Sequence, residues 1–264
     1  MTERQNRILK ILAENQRVEI SALAKTLDVS QVTIRKDLNY LEKKNAVKRR
    51  YGYAQFGSNE DIGDWMAVNY DIKRRIAKAA AEMVEDGETI MIGSGSCCAL
   101  LAEELANHKQ ITIITNSAFI AGHIRHAPYA RVFLLGGEYQ NSSQVLVGSI
   151  TSKGAEIFIS DKFFMGTDGF TEKYGFTGRD HLRTQTARNM AQQAKQVIIL
   201  ADSDKFLRQG SERLVRAEEV SAVFTDDKIL PKMETILREK NVGVHKVPSS
   251  GILETETQGC KKAS

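Results

Sequence analysis

Cysteine is scarce: the 264-residue chain has three, and two of them, Cys97 and Cys98, are adjacent. That spacing excludes a disulfide framework and matches no metal-ligand pattern. Of five histidines, only His123 and His126 lie near one another, and no cysteine joins them. They read as a structural or surface pair, and no metal or other cofactor is expected. Proline occurs three times and no Pro/Gly/Ser-rich block is present, which excludes a long flexible linker. No apolar run approaches the roughly 20 residues of a membrane span. The opening MTERQNRILK has no apolar signal region. A cytoplasmic location with no membrane partner is therefore expected.

What is present is an ordinary globular composition, 42% apolar and 27% charged, with a net charge of +4. The charge is unevenly spread. Residues 1–56 hold 12 Lys/Arg and 6 Asp/Glu, a net of +6, whereas residues 57–264 hold 25 and 27, a net of −2. This asymmetry suggests an N-terminal module for a polyanion, attached to a nearly neutral body.

Three short helices are legible in the basic part. The first spans about 2–14 and carries Ile8, Ile11 and Leu12 on one stripe. The second is expected to start with Ser21 as its N-cap and to bury Leu23, Ala24 and Leu27. A tight turn at Asp28 and Val29 follows. Ser30 then caps a third helix, SQVTIRKDLNYLEKK, with Ile34, Leu38 and Leu41 on its inner face. Gln31, Thr33, Arg35, Lys36, Asn39 and Lys43 are left facing largely outward. Two helices joined by a tight turn form a helix-turn-helix. Arg and Gln are residues that read guanine and adenine edges in the major groove. Ser30 and Thr33 at the helix start suit phosphate. The next stretch, AVKRRYGYAQF, alternates apolar and polar residues and turns near Gly52. It reads as a β-hairpin wing that places Lys48, Arg49 and Arg50 on the DNA backbone.

Residues 57–70 are polar and mixed and read as a linker. A helix over 71–84 follows, with Ile72, Ile76, Ala80 and Met83 inward. Beyond it, apolar runs at 89–92, 111–115, 131–135, 162–166, 196–201, 220–225 and 242–246 predict strands. Helical patterns at 97–107, 117–126, 148–159, 181–195 and 229–240 alternate with them. Such alternation predicts a Rossmann-like α/β domain, a parallel sheet with helices on both faces. Ligands of these sheets bind at the carboxyl ends of the strands. Those ends read Gly93-Ser94-Gly95-Ser96, Thr115-Asn116-Ser117, Gly136-Gly137-Glu138, Gly166-Thr167-Asp168-Gly169, Ala201-Asp202-Ser203-Asp204-Lys205 and Thr225-Asp226-Asp227. The first loop lies between a strand and a helix beginning near Cys97. Its glycines and hydroxyls suit one phosphate group. It lacks the Lys-Ser/Thr of a Walker A loop and is not GxGxxG, so neither ATP nor a dinucleotide is indicated. Arg179, Arg183, Arg188 and Lys205 are nearby cations. The last residues, 251–264, read as a polar tail.

The strings Arg7-Ile8-Leu9, Leu23-Ala24, VSQVTIRKDLNYLE and KRRYGYA resemble the N-terminal winged helix of DeoR-type transcriptional regulators. TNS, LLGGE, DKFFMGTDGF and ILADSDKF look like the effector domain of the same family, with DKFFMGTDGF closest to its polyol-operon (sorbitol/glucitol) branch. The resemblance implies an effector domain similar to ribose-5-phosphate isomerase that senses a phosphorylated sugar. It maps the phosphate loop to Gly93, Ser94, Gly95, Ser96 and Cys97. It maps the polar strand ends to Thr115, Asn116, Gly136, Gly137, Asp168 and Lys205, and a cation on the 181–195 helix to Arg188. Three positions differ from the usual pattern. Gly93-Ser94-Gly95-Ser96-Cys97 stands for Asp-x-Gly-Thr-Thr, Gln140 for an arginine, and Gly52-Tyr53-Ala54 for Gly-Gly-Ala. The implied protein is not an enzyme. It is a repressor of a sugar or polyol operon, with 1–56 as DNA-binding domain, 57–70 as linker and 71–250 as sensor. Its expected partners are operator DNA, a phosphorylated sugar or polyol, and further copies of itself as a dimer or tetramer. The alternative is a sugar-phosphate isomerase or deaminase with an added basic domain, using Asp168, Asp202, Asp180 or Glu138 as general base.

Overall fold

A computed structural model describes residues 2–15, 17–43, 46–50, 52–56 and 68–249. The expected polar tail and most of the expected linker lie outside the described residues.

In the N-terminal part, α1 (Glu3–Asn15), α2 (Ile20–Thr26) and α3 (Gln31–Lys43) pack over a small sheet. Ile8, Leu9 and Leu12 meet Leu23, Ile34, Leu38 and Leu41 in one core. Each such side chain contributes about 1.5–3 kcal/mol when fully buried. The wing is the hairpin β2 (Val47–Arg50) and β3 (Tyr53–Phe56), which turns at Gly52 with φ +81°. A short strand, β1 (Arg17–Glu19), was not expected; it pairs with β3 as the third strand. It also displaces the start of α2. The N-cap is Glu19, and Ser21 lies inside the helix with its hydroxyl donating to the Glu19 carboxylate at 2.8 Å. Ser21 is therefore not the cap, because pairing of β1 holds residue 19 in extended backbone.

The second part begins with α4 (Tyr70–Ala81), followed by β4 (Thr89–Ile92), α5 (Ser96–His108), β5 (Thr112–Thr115), α6 (Ala118–His123) and β6 (Arg131–Leu134). Next come β7 (Glu138–Gln140), β8 (Val145–Val147), α7 (Ser149–Ala155) and β9 (Ser160–Met165). Then follow β10 (Gly169–Thr171), β11 (Gly175–Gly178), α8 (His181–Ala191) and β12 (Ala194–Leu200). The chain continues through a 3-10 turn (Ser203–Leu207), β13 (Glu212–Val215) and β14 (Ala222–Asp226), to α9 (Pro231–Glu239) and β15 (Gly243–Val247). The seven apolar runs in the sequence are the seven strands of one parallel sheet, in the order β15-β14-β12-β9-β4-β5-β6. Helices cover both faces. Along β4, Ile90 and Ile92 enter the core on one face while Met91 enters the other; along β9, Phe164 faces one core and Phe163 and Met165 the other. Burial on both faces is why these strands read as unbroken apolar runs rather than alternating ones.

From β4 the chain first moves outward to β5 and β6, then returns to β9 on the other side of β4. The β4/β9 boundary is thus the switch point of the sheet, where the loops leaving two adjacent strands diverge and open a crevice. Two small antiparallel sheets flank the main one, β7-β8 and β10-β11-β13. The backbone passes so closely where β10 begins that a Cβ on Gly169 would lie 2.3 Å from the Arg208 carbonyl oxygen.

Candidate functional site

The outward face of α3 presents the residues expected on it. Gln31, Arg35, Lys36 and Asn39 are exposed and Thr33 is half-buried. The Ser30 hydroxyl accepts from the Thr33 amide at 3.2 Å, so it does cap α3. Asp37, one turn along, points inward. Its buried carboxylate accepts from Arg4 Nε at 2.5 Å and from Gln5 Nε2 at 3.1 Å, which ties α3 to α1. The same helix presents Val32, 64% exposed at the N-terminal end where base edges are reached. An apolar side chain there suits a thymine methyl group. Of the wing residues, Arg49 is already engaged: Glu42 on α3 accepts from its Nε at 2.9 Å and its Nη2 at 2.6 Å. Arg49 thus anchors the wing to α3 rather than presenting a bare cation. Lys48 and Arg50 stand on the same strand, β2.

A cleft of about 770 Å³ opens at the switch point. The 93–97 loop after β4 forms one wall, and the 166–168 turn after β9 forms another. Gly95 caps α5 with φ +132° and ψ 157°, a backbone region essentially restricted to glycine. The first-turn amides of α5 have no intrahelical acceptors, and the helix dipole adds positive potential there. Lys205, Arg179 and Arg183 line the same space, as does Lys73, a lysine on α4 only 3% exposed. Burial pushes the Lys73 ammonium below the usual lysine range, opposed by Asp202. Two buried acceptors complete the site. Asn116 donates through Nδ2 to the Leu146 carbonyl at 2.9 Å, and its Oδ1 accepts nothing from the described residues. Asp202 Oδ2 accepts from Asn69 at 3.4 Å, and its Oδ1 likewise accepts nothing from them. Burial pushes the Cys97 thiol up to about 12 and the Cys98 thiol higher still, so neither is a ready nucleophile.

The structure thus pairs a winged helix with a polar cleft at the switch point of the parallel sheet. Two family models match the chain: a DeoR-like helix-turn-helix domain over residues 4–60 and a DeoR C-terminal sensor domain over residues 68–227. The chain belongs to the DeoR family. Among curated relatives, the HTH-type transcriptional regulator GolR of Listeria innocua is 31% identical over 231 residues, covering 86% of this chain and 91% of its own. The glycerol-3-phosphate regulon repressor of Escherichia coli is 28% identical over 228 residues, covering 85% and 90%. Among solved structures, ribose 5-phosphate isomerase A from Methanocaldococcus jannaschii aligns at 21% identity and a TM-score of 0.39, over 52% of this chain and 55% of that one. That likeness is too slight to transfer chemistry.

In this DeoR-family regulator the cleft brings together most of the residues expected from sequence. Gly93, Ser94, Gly95, Ser96, Cys97, Asn116, Asp168 and Lys205 all line it. Four do not. Thr115 is buried beneath the loop, its hydroxyl accepting from the Ser117 amide at 3.1 Å. Gly136 and Gly137 form the turn into β7, where the Gly136 carbonyl accepts from the Thr151 hydroxyl at 2.8 Å. Arg188 leaves α8 in another direction and donates to the Arg213 carbonyl at 2.6 Å; Arg183, on the same helix, lines the cleft instead. Several residues of the cleft were not among the expected ligand contacts, Lys10, Asn69, Lys73 and Asp202 among them. Asp202 stood in the sequence only as part of a polar strand end and as a candidate base. His123 Nε2 lies 3.0 Å from Glu103 Oε2, and among the described residues no three metal-ligating side chains cluster. No described helix is long and apolar enough to cross a membrane.

Proposed function

We propose that this DeoR-family member is a cytoplasmic repressor of a sugar or polyol operon, and that a phosphorylated sugar or polyol in the cleft controls its hold on operator DNA. The observation that carries this reading is the pairing of an α5 N-terminal loop with two buried, unsatisfied acceptors, Asn116 and Asp202, in one cleft. A phosphate oxygen takes the loop amides and hydroxyls. Ligand hydroxyls take the two acceptors, whose burial without a partner otherwise costs about 1–3 kcal/mol each. Lys205, Arg179 and Arg183 balance the charge. The names of the relatives, repressors of glycerol-3-phosphate and lactose systems among them, fit a phosphorylated carbon source. The string DKFFMGTDGF favours the polyol branch, and it sets the 166–168 wall of the cleft.

Binding without turnover is part of the proposal. The Asp168 carboxylate accepts from the Arg179 amide at 3.0 Å, and the Asp180 carboxylate caps α8 through the Arg183 amide at 2.8 Å. Glu138 is exposed on β7 and does not line the cleft. Three of the four candidate bases are thus committed or remote. On the DNA side, one winged helix reads one half-site, so the active species is a homo-oligomer that reads two. Residues 1–56 serve as the DNA-binding domain and 71–250 as the sensor.

Thermal unfolding against a panel of pentose, hexose and polyol phosphates tests this reading. A stabilising phosphorylated ligand whose unphosphorylated counterpart does not stabilise, and which alters operator affinity, is the expected result. Stabilisation by none of them, or steady conversion of one, would overturn it.

A further inference from the structure

The chain changes domains between two residues. Val68 is buried in the core of the winged helix, together with Ile8, Leu38 and Leu41. The next residue, Asn69, caps α4 of the sensor with a left-handed backbone, φ +53°. Asparagine tolerates that conformation better than most residues, at some cost in strain. Its side-chain amide donates to Asp202 Oδ2 at 3.4 Å and Asp204 Oδ2 at 3.5 Å, both in the cleft. A second link lies beside it. Lys10, on α1 of the winged helix, reaches the same Asp204, with Nζ 2.9 Å from Oδ1 and 2.8 Å from Oδ2. Lys10, Val68 and Asn69 all line the cleft.

We propose that the cleft is a two-domain site, in which Lys10 of the DNA-binding domain senses the charge in the cleft through Asp204 and transmits it to the recognition helix. The inference rests on the sensor reading above and names the regulation of that site. Lys10 sits on the same helix as Arg4 and Gln5, and those two hold Asp37 of α3. One helix, α1, therefore touches the cleft carboxylate through Lys10 near its middle and holds the helix that faces DNA through its first turn. Asp204 stands next to Lys205 and within the electrostatic reach of Lys73. A phosphate entering beside the 93–97 loop draws on Lys73 and Lys205 and brings new negative charge to the Asp202–Asp204 pair. Lys10 is the mobile cation that answers it, because its side chain is 45% exposed and its anchor belongs to another domain. An effector needs only this differential contact to bias the arrangement of the two domains. The alternative is a passive surface ion pair, which has little thermodynamic weight.

The test uses the full chain and its operator, with affinity read by fluorescence anisotropy. The variants are Lys10→Met, Lys10→Arg, Asp204→Asn and the exchanged pair Lys10→Asp with Asp204→Lys. Without ligand, Lys10→Met and Asp204→Asn are expected to change operator Kd in the same direction and by similar factors. Lys10→Arg and the exchanged pair, which keep an ion pair at these two positions, are expected to change it by a smaller factor than either. Asp204 lies outside the DNA-binding domain, so agreement between the two variants excludes a lost DNA contact at Lys10. A lost phosphate contact would also reduce the salt slope by about one, whereas loss of the Lys10–Asp204 ion pair leaves that slope intact. With a phosphorylated ligand from the panel at saturation, the wild-type ratio of operator Kd values with and without ligand is expected to be at least about fivefold. In Lys10→Met and Asp204→Asn it is expected to fall towards one. Wild-type operator affinity and full ligand response in both variants would overturn the proposal. If no phosphorylated ligand binds the wild type, the sensor reading fails, and the ligand-free comparison still decides whether the ion pair controls operator affinity.

Discussion

Replacing Gly95 with alanine isolates what the loop after β4 contributes. At φ +132° and ψ 157° an L-residue is strained, and holding it there costs about 1–3 kcal/mol. Packing adds nothing to that cost, because the nearest atom to the new Cβ would be Cys98 Sγ at 3.9 Å. The protein has two ways to respond. It can hold the strain, which lowers the melting temperature of the sensor domain by about 2–4 °C for each kcal/mol. It can instead rotate the peptide units beside residue 95, which turns the loop amides away from the position of the anion. Losing one charge-assisted hydrogen bond to the ligand costs about 1.5–3 kcal/mol, roughly a 10- to 150-fold weaker Kd. Gly136→Ala is the matched control. Its Cβ meets nothing within 4 Å, and its φ is not positive, so a change within about 0.5 kcal/mol is expected. Thermal unfolding and calorimetric titration of a phosphorylated ligand, run on both variants, decide the matter. Unchanged melting and ligand affinity in Gly95→Ala, or a larger loss in Gly136→Ala, would refute the phosphate-loop assignment.

Arg35→Ala is expected to cost about 1–3 kcal/mol in operator binding and to relax selectivity at one base pair, measured by anisotropy against single-base operator variants. Arg49→Ala is expected to change the salt slope by less than about one, because Glu42 already neutralises that guanidinium; a drop of a full unit in a salt titration would show that Arg49 reaches phosphate after all. Asp202→Asn replaces a charged acceptor and is expected to weaken a hydroxylated ligand by about 1.5–3 kcal/mol. The loss should vanish in titrations with the deoxy analogue lacking the hydroxyl that Asp202 accepts. Asp226 gives a pH prediction. Burial, reinforced by Asp202 and Asp204, raises its carboxyl above the usual range, against a hydrogen bond from Ser203. A raised folded-state value means that the favourable term is complete below the unfolded-state pKa of about 3.9 and is lost as pH rises through the folded-state value. Asp226→Asn removes that loss, so its melting temperature relative to wild type is expected to climb as pH rises above about 4. A difference that stays flat across that range would refute it.

The seven sheet strands were legible because burial on two faces leaves continuous apolar runs, as in TIMI and VIIL. The recognition helix was legible because its inner stripe repeats at helical spacing. The flanking strands were not. β7 is Glu-Tyr-Gln and β11 is Gly-Phe-Thr-Gly, three and four residues with no strand signature; β7 is held by β8 across a short turn, and β11 by β10 and the more distant β13. The Lys10–Asp204 contact spans 194 positions, and no local pattern encodes such a pairing.

Lys73 is different, since a signal for it was present. It lies three and four residues before Ile76 and Ala77, on the stripe that buries Ala80 as well. Helical spacing therefore places an ammonium group on the core side of α4, where a solvated lysine has no reason to be. A buried lysine persists when something nearby needs its charge. Here the neighbours are Asp202, Asp204 and the opening of the α5 loop. Reading the stripe only for its apolar members selected Ile72, Ile76, Ala80 and Met83 and passed over the one polar residue among them. That residue, rather than the apolar ones, pointed from the helix to the cleft.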